Sequence, residues 1–594
     1  MICHTRARFV LLVTMVFVVG GRASAGAPAP EPSADASAGV LLSQLKEAAA
    51  KGRLSDRLIG MFRDYTVARV REAQVPDRIA EPFWKWILAH KDLRDAVLFG
   101  LHPESDVDLR ILDRLAALRK TFPEKVEAYP HLAFAFAMVY GTAGKRSIRE
   151  RRLGYVAKDR EIPSMADSFK DYVQHAGRMK MPLNQTPWPL LVYVADNDLP
   201  LAERAWVRGR YGGKALAEFG SVYYDLAYDF DKRRGQAKIG DRPKTMANLL
   251  KYGGVCAERA YYSSRVAKTF GVPAMYDVGA GARGGHAWLA HVGRQAAGRF
   301  SPGGKKGVDL LFTGRFDYDR YYTGSVYDPN VGKYFLDRDA QLNVAAMTHS
   351  YEGYLEALAA CRIYGMNEEA SRGKMTGLLE GAVKRNPYCD MPWRIVAADV
   401  AEGHIPRTKG EQMYQSMLRQ FGQYPDLTFW VLAKILQPRL AEADQAEPGD
   451  VSKNLNTLGK AFQVYAKANR PDLAVRLRCL QGEYLEAVGR KQDALKVYVT
   501  ASEQYLTEHF GFLELYSRAC RLMKASGQDR IMLKYMGRVA DRVPAFKSGQ
   551  NQEFREVNPT YALVVKAYAD ALRDAGRNAE ADGQMQRLRA RKGK

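Results

Sequence analysis

Cys256 follows a paired-glycine turn, Gly253-Gly254-Val255, and opens a helical pattern that continues through Ala257-Glu258-Arg259-Ala260. Cys256, Ala260, Ser263, Ala267 and Phe270 recur at helical spacing, a stripe of mostly small residues suited to close packing on a sheet. Gly271-Val272-Pro273 then supplies a glycine-then-proline stop. Cys256 is therefore expected at a helix N-terminus, where unpaired N–H groups and the helix dipole favour thiolate over thiol. A thiolate attacks electrophilic carbon, and sulfur chemistry of this kind needs a base and a group that orients the base.

His286 is the expected base. After the strand-like Ala274–Val278 and the glycine-rich Gly279–Gly285 comes His286-Ala287-Trp288-Leu289-Ala290-His291-Val292. With a period of two, His286, Trp288 and Ala290 share one strand face, and His291 falls on the other with Ala287 and Leu289. Only one histidine can then face the cysteine, which leaves His291 as a residue of a polar face or loop. For the orienting carboxylate, Asp328 ends the strand-like Val326-Tyr327-Asp328 before Pro329-Asn330. Asp309, Asp317 and Asp319 lie nearer to His286 in the chain and compete with it.

These residues need elements to hold them. The chain has 594 residues, which at about 150 per domain suggests roughly four domains, or fewer if one is a helical array. The pattern predicts a mainly helical region over 39–241, with a looser aromatic-rich stretch that includes Trp188–Val194. Short β-type runs separated by glycines follow over 242–346, and helix returns over 347–594. Three helix-turn-helix phrases turn at Gly489, Gly527 and Gly576, spaced 38 and 49 residues apart. Both spacings exceed the tetratricopeptide period of about 34 residues, so the expectation is a degenerate helical-hairpin array. Such arrays present concave surfaces to peptides or partner proteins.

The N-terminus has the form of a secretory signal: Arg6 and Arg8, the apolar Phe9–Val19, and the small residues Ala23-Ser24-Ala25. The apolar run is shorter than the about 20 residues that span a bilayer. Cleavage after Ala25 would leave residues 26–38 as a disordered tether and the protein secreted or periplasmic. Five cysteines then remain, an odd number with no CxxC pair, so at least one is unpaired or bonds another chain. Lys and Arg total 89 against 66 Asp and Glu, a net charge of +23, reduced to +20 without Arg6, Arg8 and Arg22. Over this length the excess suits an anionic envelope surface better than specific nucleic-acid reading.

Other motifs lack their physical context. Gly279-x-Gly281-x-x-Gly284 has the letters of a dinucleotide fingerprint but leads into a strand instead of a helix. No HExxH and no paired CxxC occurs, so neither a metal nor another cofactor is expected. The basic clusters Lys145–Arg152 and Arg587–Lys594 carry few aromatics and are expected as solvated faces.

Taken together, Gly254-Val255-Cys256, Gly271-Val272-Pro273-Ala274, Gly285-His286-Ala287-Trp288 and Asp328-Pro329 resemble the transglutaminase-like superfamily over Pro243 to Ala346. The resemblance implies an α+β fold with a papain-like core, in which a helix bearing Cys256 packs on an antiparallel sheet bearing His286 and Asp328. It also implies acyl transfer through a Cys256 thioester, as a protease, amidase or cross-linking enzyme acting on a protein or peptide. The chain departs from the family in placing Asp328 42 residues after His286 and in having no Trp in Ser325-Val326-Tyr327. An insertion at Gly293–Gly307 would absorb the length. The alternative is a non-enzymatic scaffold that binds peptide or protein through its helical array.

Overall fold

The computed structural model describes residues 37–72, 81–90, 93, 94, 98, 110–140, 161–281, 284–294, 308–317, 323–329, 333–422, 424–441, 448–507, 511–546 and 557–592. The signal-like segment lies outside them, as do most of the expected tether and Asp319. The tether expectation is corrected at its end, because Ser37 caps a helix that begins at Ala38. The described chain is α+β, mostly helical with one five-stranded antiparallel sheet. Among the described residues no helix is long and apolar enough to cross a membrane.

The chain clusters into two compact units: one up to Val278 with Ala287–Gly314 and Ser325–Pro392, the other Trp393–Lys594 with Gly279–His286 and Arg315–Gly324. The expected boundary at 346 falls inside a helix, Asp337–His349.

In the first unit the most buried helices are apolar on every side. Every residue of Pro130–Val139 is buried. Trp188–Ala195 is also a helix, where the sequence suggested a looser stretch. Pro187 and Pro189 suit the start of a helix, where their missing N–H costs nothing. Burial on all sides then outweighs the weak helical preference of its valines. The sheet comprises β1 (Ala274–Gly281), β2 (Gly284–Arg294), β3 (Val308–Thr313), β4 (Ser325–Asp328) and β5 (Lys333–Leu336), in the order β3-β2-β1-β4-β5. β2 pairs with β3 from Leu289 opposite Thr313 to Arg294 opposite Val308. β1 pairs with β4 through Asp277 opposite Val326 and Val278 opposite Ser325.

In the second unit helices stack in sequence order. Pro471–Ala487 and Lys491–Gln504 turn at Gly489; Phe512–Ala525 and Asp529–Arg542 turn at Gly527; Pro559–Asp574 and Asn578–Lys592 turn at Gly576. All three glycines have positive φ. Neighbouring hairpins are tied by side chains: Ser502 and Tyr535 hydroxyls meet at 2.6 Å, and Arg521 reaches Glu486 at 2.7 Å.

Candidate active site

The helix Cys256–Thr269 places Cys256 as its first residue, half-buried. Its far half is anchored by buried charge. Arg265 Nε donates to Asp198 at 2.7 Å, and Lys268 Nζ reaches the Asp196 carboxylate at 3.1 Å. Tyr172 Oη donates to the Lys268 carbonyl at 2.9 Å. Burial would raise the Asp198 carboxyl, but the Arg265 charge outweighs it and holds the group below its usual range. Burial pushes Lys268 down to about 8, against the pull of Asp196.

The start of the helix is fixed by backbone. Gly253 has φ 79°, and a Cβ there would lie 2.4 Å from the Ala227 carbonyl oxygen, so only glycine fits. The Gly254 N–H donates to that same carbonyl at 3.1 Å, and Asp229 N–H donates to the Gly254 carbonyl at 3.0 Å. Tyr228 and Gly254 thereby form a one-residue parallel bridge. Glu258, 2% exposed, reaches back to accept the Val255 N–H at 3.0 Å and pairs with Lys232. Its charge is thus matched, and the first-turn N–H groups that helix geometry leaves unpaired surround Cys256.

The aromatic segment Tyr223–Phe230 forms a wall against this turn. Arg259, one turn beyond Cys256, lies 5.7, 5.9 and 5.3 Å from the ring centroids of Tyr223, Tyr224 and Tyr228. Its Nε donates to the Leu226 carbonyl at 2.9 Å. Tyr223 is buried, and its hydroxyl donates to the Ala287 carbonyl at 2.9 Å. A Cβ at Gly314 would sit 2.4 Å from the Tyr223 ring. Tyr223 thus gathers the first turns of the Cys256 helix, the beginning of β2 and the end of β3. The sequence did not point to this segment because it has no period; its partners Arg259 and Ala287 lie 33 and 64 residues away in the chain.

His286 is the third residue of β2 and is 5% exposed. His291 is also buried, at 2%, which corrects its expected place on a polar face or in a loop. β2 stands between β3 and β1 with both faces covered, so alternation of burial disappears. Burial alone pushes His291 down to about 4, and its Nδ1 has no hydrogen-bond partner among the described residues.

The described candidate aspartates lie at different places along the sheet. β4 runs from Ser325 opposite Val278 toward the start of β1, so Asp328 ends at the sheet end where β1 begins. Tyr223 and the first turns of the Cys256 helix meet Ala287 near the start of β2. Asp328 adds to burial in pushing up the hydroxyls of Tyr193 and Tyr354. Asp309 faces Gly293 near the start of β3, with its carboxylate accepting from Leu310 N–H at 2.7 Å. Asp317 follows Thr313 by four residues, where the chain leaves β3 at the end from which β2 starts, and it is exposed.

Five cysteines are free: Cys256, Cys361, Cys389, Cys479 and Cys520. Burial pushes Cys361 and Cys389 well up and Cys479 and Cys520 up to about 12. Asp399, Glu402 and His404 form a group able to hold a metal ion, a set that their sequence spacing did not suggest. No protein-family model matches the chain, and no curated protein or solved structure matches it either.

Proposed function

We propose that the chain is a thiol enzyme with a papain-like, transglutaminase-like core, exported and acting on amide bonds of proteins or peptides. Cys256 sulfur attacks the amide carbonyl carbon, and its proton passes to His286. The tetrahedral oxyanion is stabilised by N–H groups at the helix start. As the C–N bond breaks, His286 returns the proton to the leaving amine, and a Cys256 thioester remains. Water or a second amine then attacks the thioester, His286 takes that nucleophile's proton, and the thiol is restored. To orient His286, Asp328 competes with Asp317; Asp317 is favoured by following Thr313 where β3 runs toward the start of β2, while β4 carries Asp328 toward the start of β1.

The observation that carries this reading is the position of Cys256. It is the first residue of a helix whose start is held by Gly253, Gly254 and Glu258 and whose next turn is tied through Tyr223 to the beginning of β2. The test is the rate of iodoacetamide alkylation of Cys256 against pH, in the wild type and in His286→Ala. Fast labelling below about pH 7 that collapses in the variant supports an activated pair. A profile tracking an ordinary thiol near about pH 8.5, unchanged by the variant, leaves a binding scaffold instead.

A further inference from the structure

We infer that Arg259 is a substrate-binding residue, and that the acyl donor carries a carboxylate which this guanidinium receives beside the scissile amide. The inference rests on the assignment of Cys256 as nucleophile and adds the chemistry of what it attacks.

Residues three apart on a helix are neighbours on one face, so Arg259 stands next to Cys256. Its guanidinium is fixed before any ligand arrives. Tyr223, Tyr224 and Tyr228 surround it, and Nε is spent on the Leu226 carbonyl. Among the described residues no carboxylate pairs with it. The nearest acid in the chain, Glu258, is committed to Lys232 and to the Val255 N–H. On the same helix Arg265, by contrast, has its charge matched by Asp198 at 2.7 Å.

What remains is the terminal edge of a planar fork, with one unmatched positive charge, and that geometry suits one carboxylate held by two parallel N–H bonds. Tyr224 and Phe230, 50% and 62% exposed, form an apolar rim beside it. Holding the guanidinium in advance removes the ordering cost that a free arginine side chain would bring to binding.

The test compares two alkylating agents that differ only in charge, on the full chain. Iodoacetate carries a carboxylate and iodoacetamide does not; in each case sulfur bonds to the methylene carbon and iodide leaves. The ratio of their rates at Cys256 cancels any change in thiolate fraction. In the wild type iodoacetate should saturate. Arg259→Gln should lower the iodoacetate-to-iodoacetamide ratio about tenfold, the size of one charge-assisted hydrogen-bonded contact. Arg259→Lys, which keeps the charge and loses the fork, should lose most of the same preference.

A second measurement needs no variant. At constant ionic strength, acetate should slow iodoacetamide labelling of the wild type, and acetamide should not. An unchanged ratio in both variants, or no protection by acetate, overturns the inference. Equal protection by inorganic phosphate overturns the carboxylate as the group recognised. Slow iodoacetamide labelling with an ordinary thiol profile would instead overturn the enzyme reading itself, whatever the ratio.

Discussion

The hydroxyl of Tyr223 donates to the carbonyl oxygen of Ala287 at 2.9 Å, and this bond joins the aromatic wall to the residue that follows His286. Tyr223→Phe keeps the ring and removes a donor from a carbonyl of the buried Ala287. It should lower stability by about 1–3 kcal/mol and slow Cys256 alkylation, both read on one preparation by urea unfolding and timed labelling. A variant with the wild-type rate would show that the bond does not help position the site.

Gly314→Ala should be the harsher change. Its φ of 84° alone costs a side chain about 1–3 kcal/mol, and the new Cβ would meet the Tyr223 ring at 2.4 Å. Thermal unfolding should place it below Tyr223→Phe. An equal or higher midpoint would contradict the packing described.

Among the five free cysteines, Cys256 should be labelled first and nearly alone at pH 7. The others are held as thiols by burial, and Cys361, Cys389 and Cys479 are also inaccessible. Peptide mapping after brief iodoacetamide treatment reads this directly. Comparable early labelling at Cys520 would argue against a distinctive environment for Cys256.

The two aspartates make opposite forecasts. Asp317→Asn should slow Cys256 labelling at pH 7 about tenfold, the scale of one lost charged hydrogen bond, and shift its pH profile. Asp328→Asn should leave both within a factor of about two, since β4 carries it past Val278 toward the start of β1. The reverse pattern would restore Asp328 as the orienting group.

His291 should make the protein acid-sensitive. Its folded pKa is depressed to about 4 from an ordinary 6.5, so the unfolded chain binds the proton first as pH falls. Stability is therefore lost progressively between pH 6.5 and about 4, reaching roughly 3 kcal/mol from this group. Chemical denaturation of the wild type and His291→Leu across that window should show a gap that moves in favour of the variant as pH falls. Parallel curves would rule the effect out.

What was legible beforehand was local. The paired glycines before Cys256, the Gly271-Val272-Pro273 stop and the turn glycines at 489, 527 and 576 each act within a few residues, and the elements begin and end at them. Burial imposed from outside the segment was not legible. Trp188–Ala195 and His291 took their character from covering layers that no window of sequence contains. Nor was the strand order β3-β2-β1-β4-β5, which sets where Asp317 and Asp328 leave the sheet, because strand order is a non-local property.

The segment from Tyr223 to Phe230 grips the helix start mainly through main-chain atoms: the Leu226 and Ala227 carbonyls and the Asp229 N–H. Main-chain atoms survive substitution. Tyr224 and Phe230 face outward from a ribbon whose course is set by those main-chain bonds and by the buried Tyr223. Over evolutionary time, or in a directed library, those two sites can drift while the placement of sulfur is inherited unaltered.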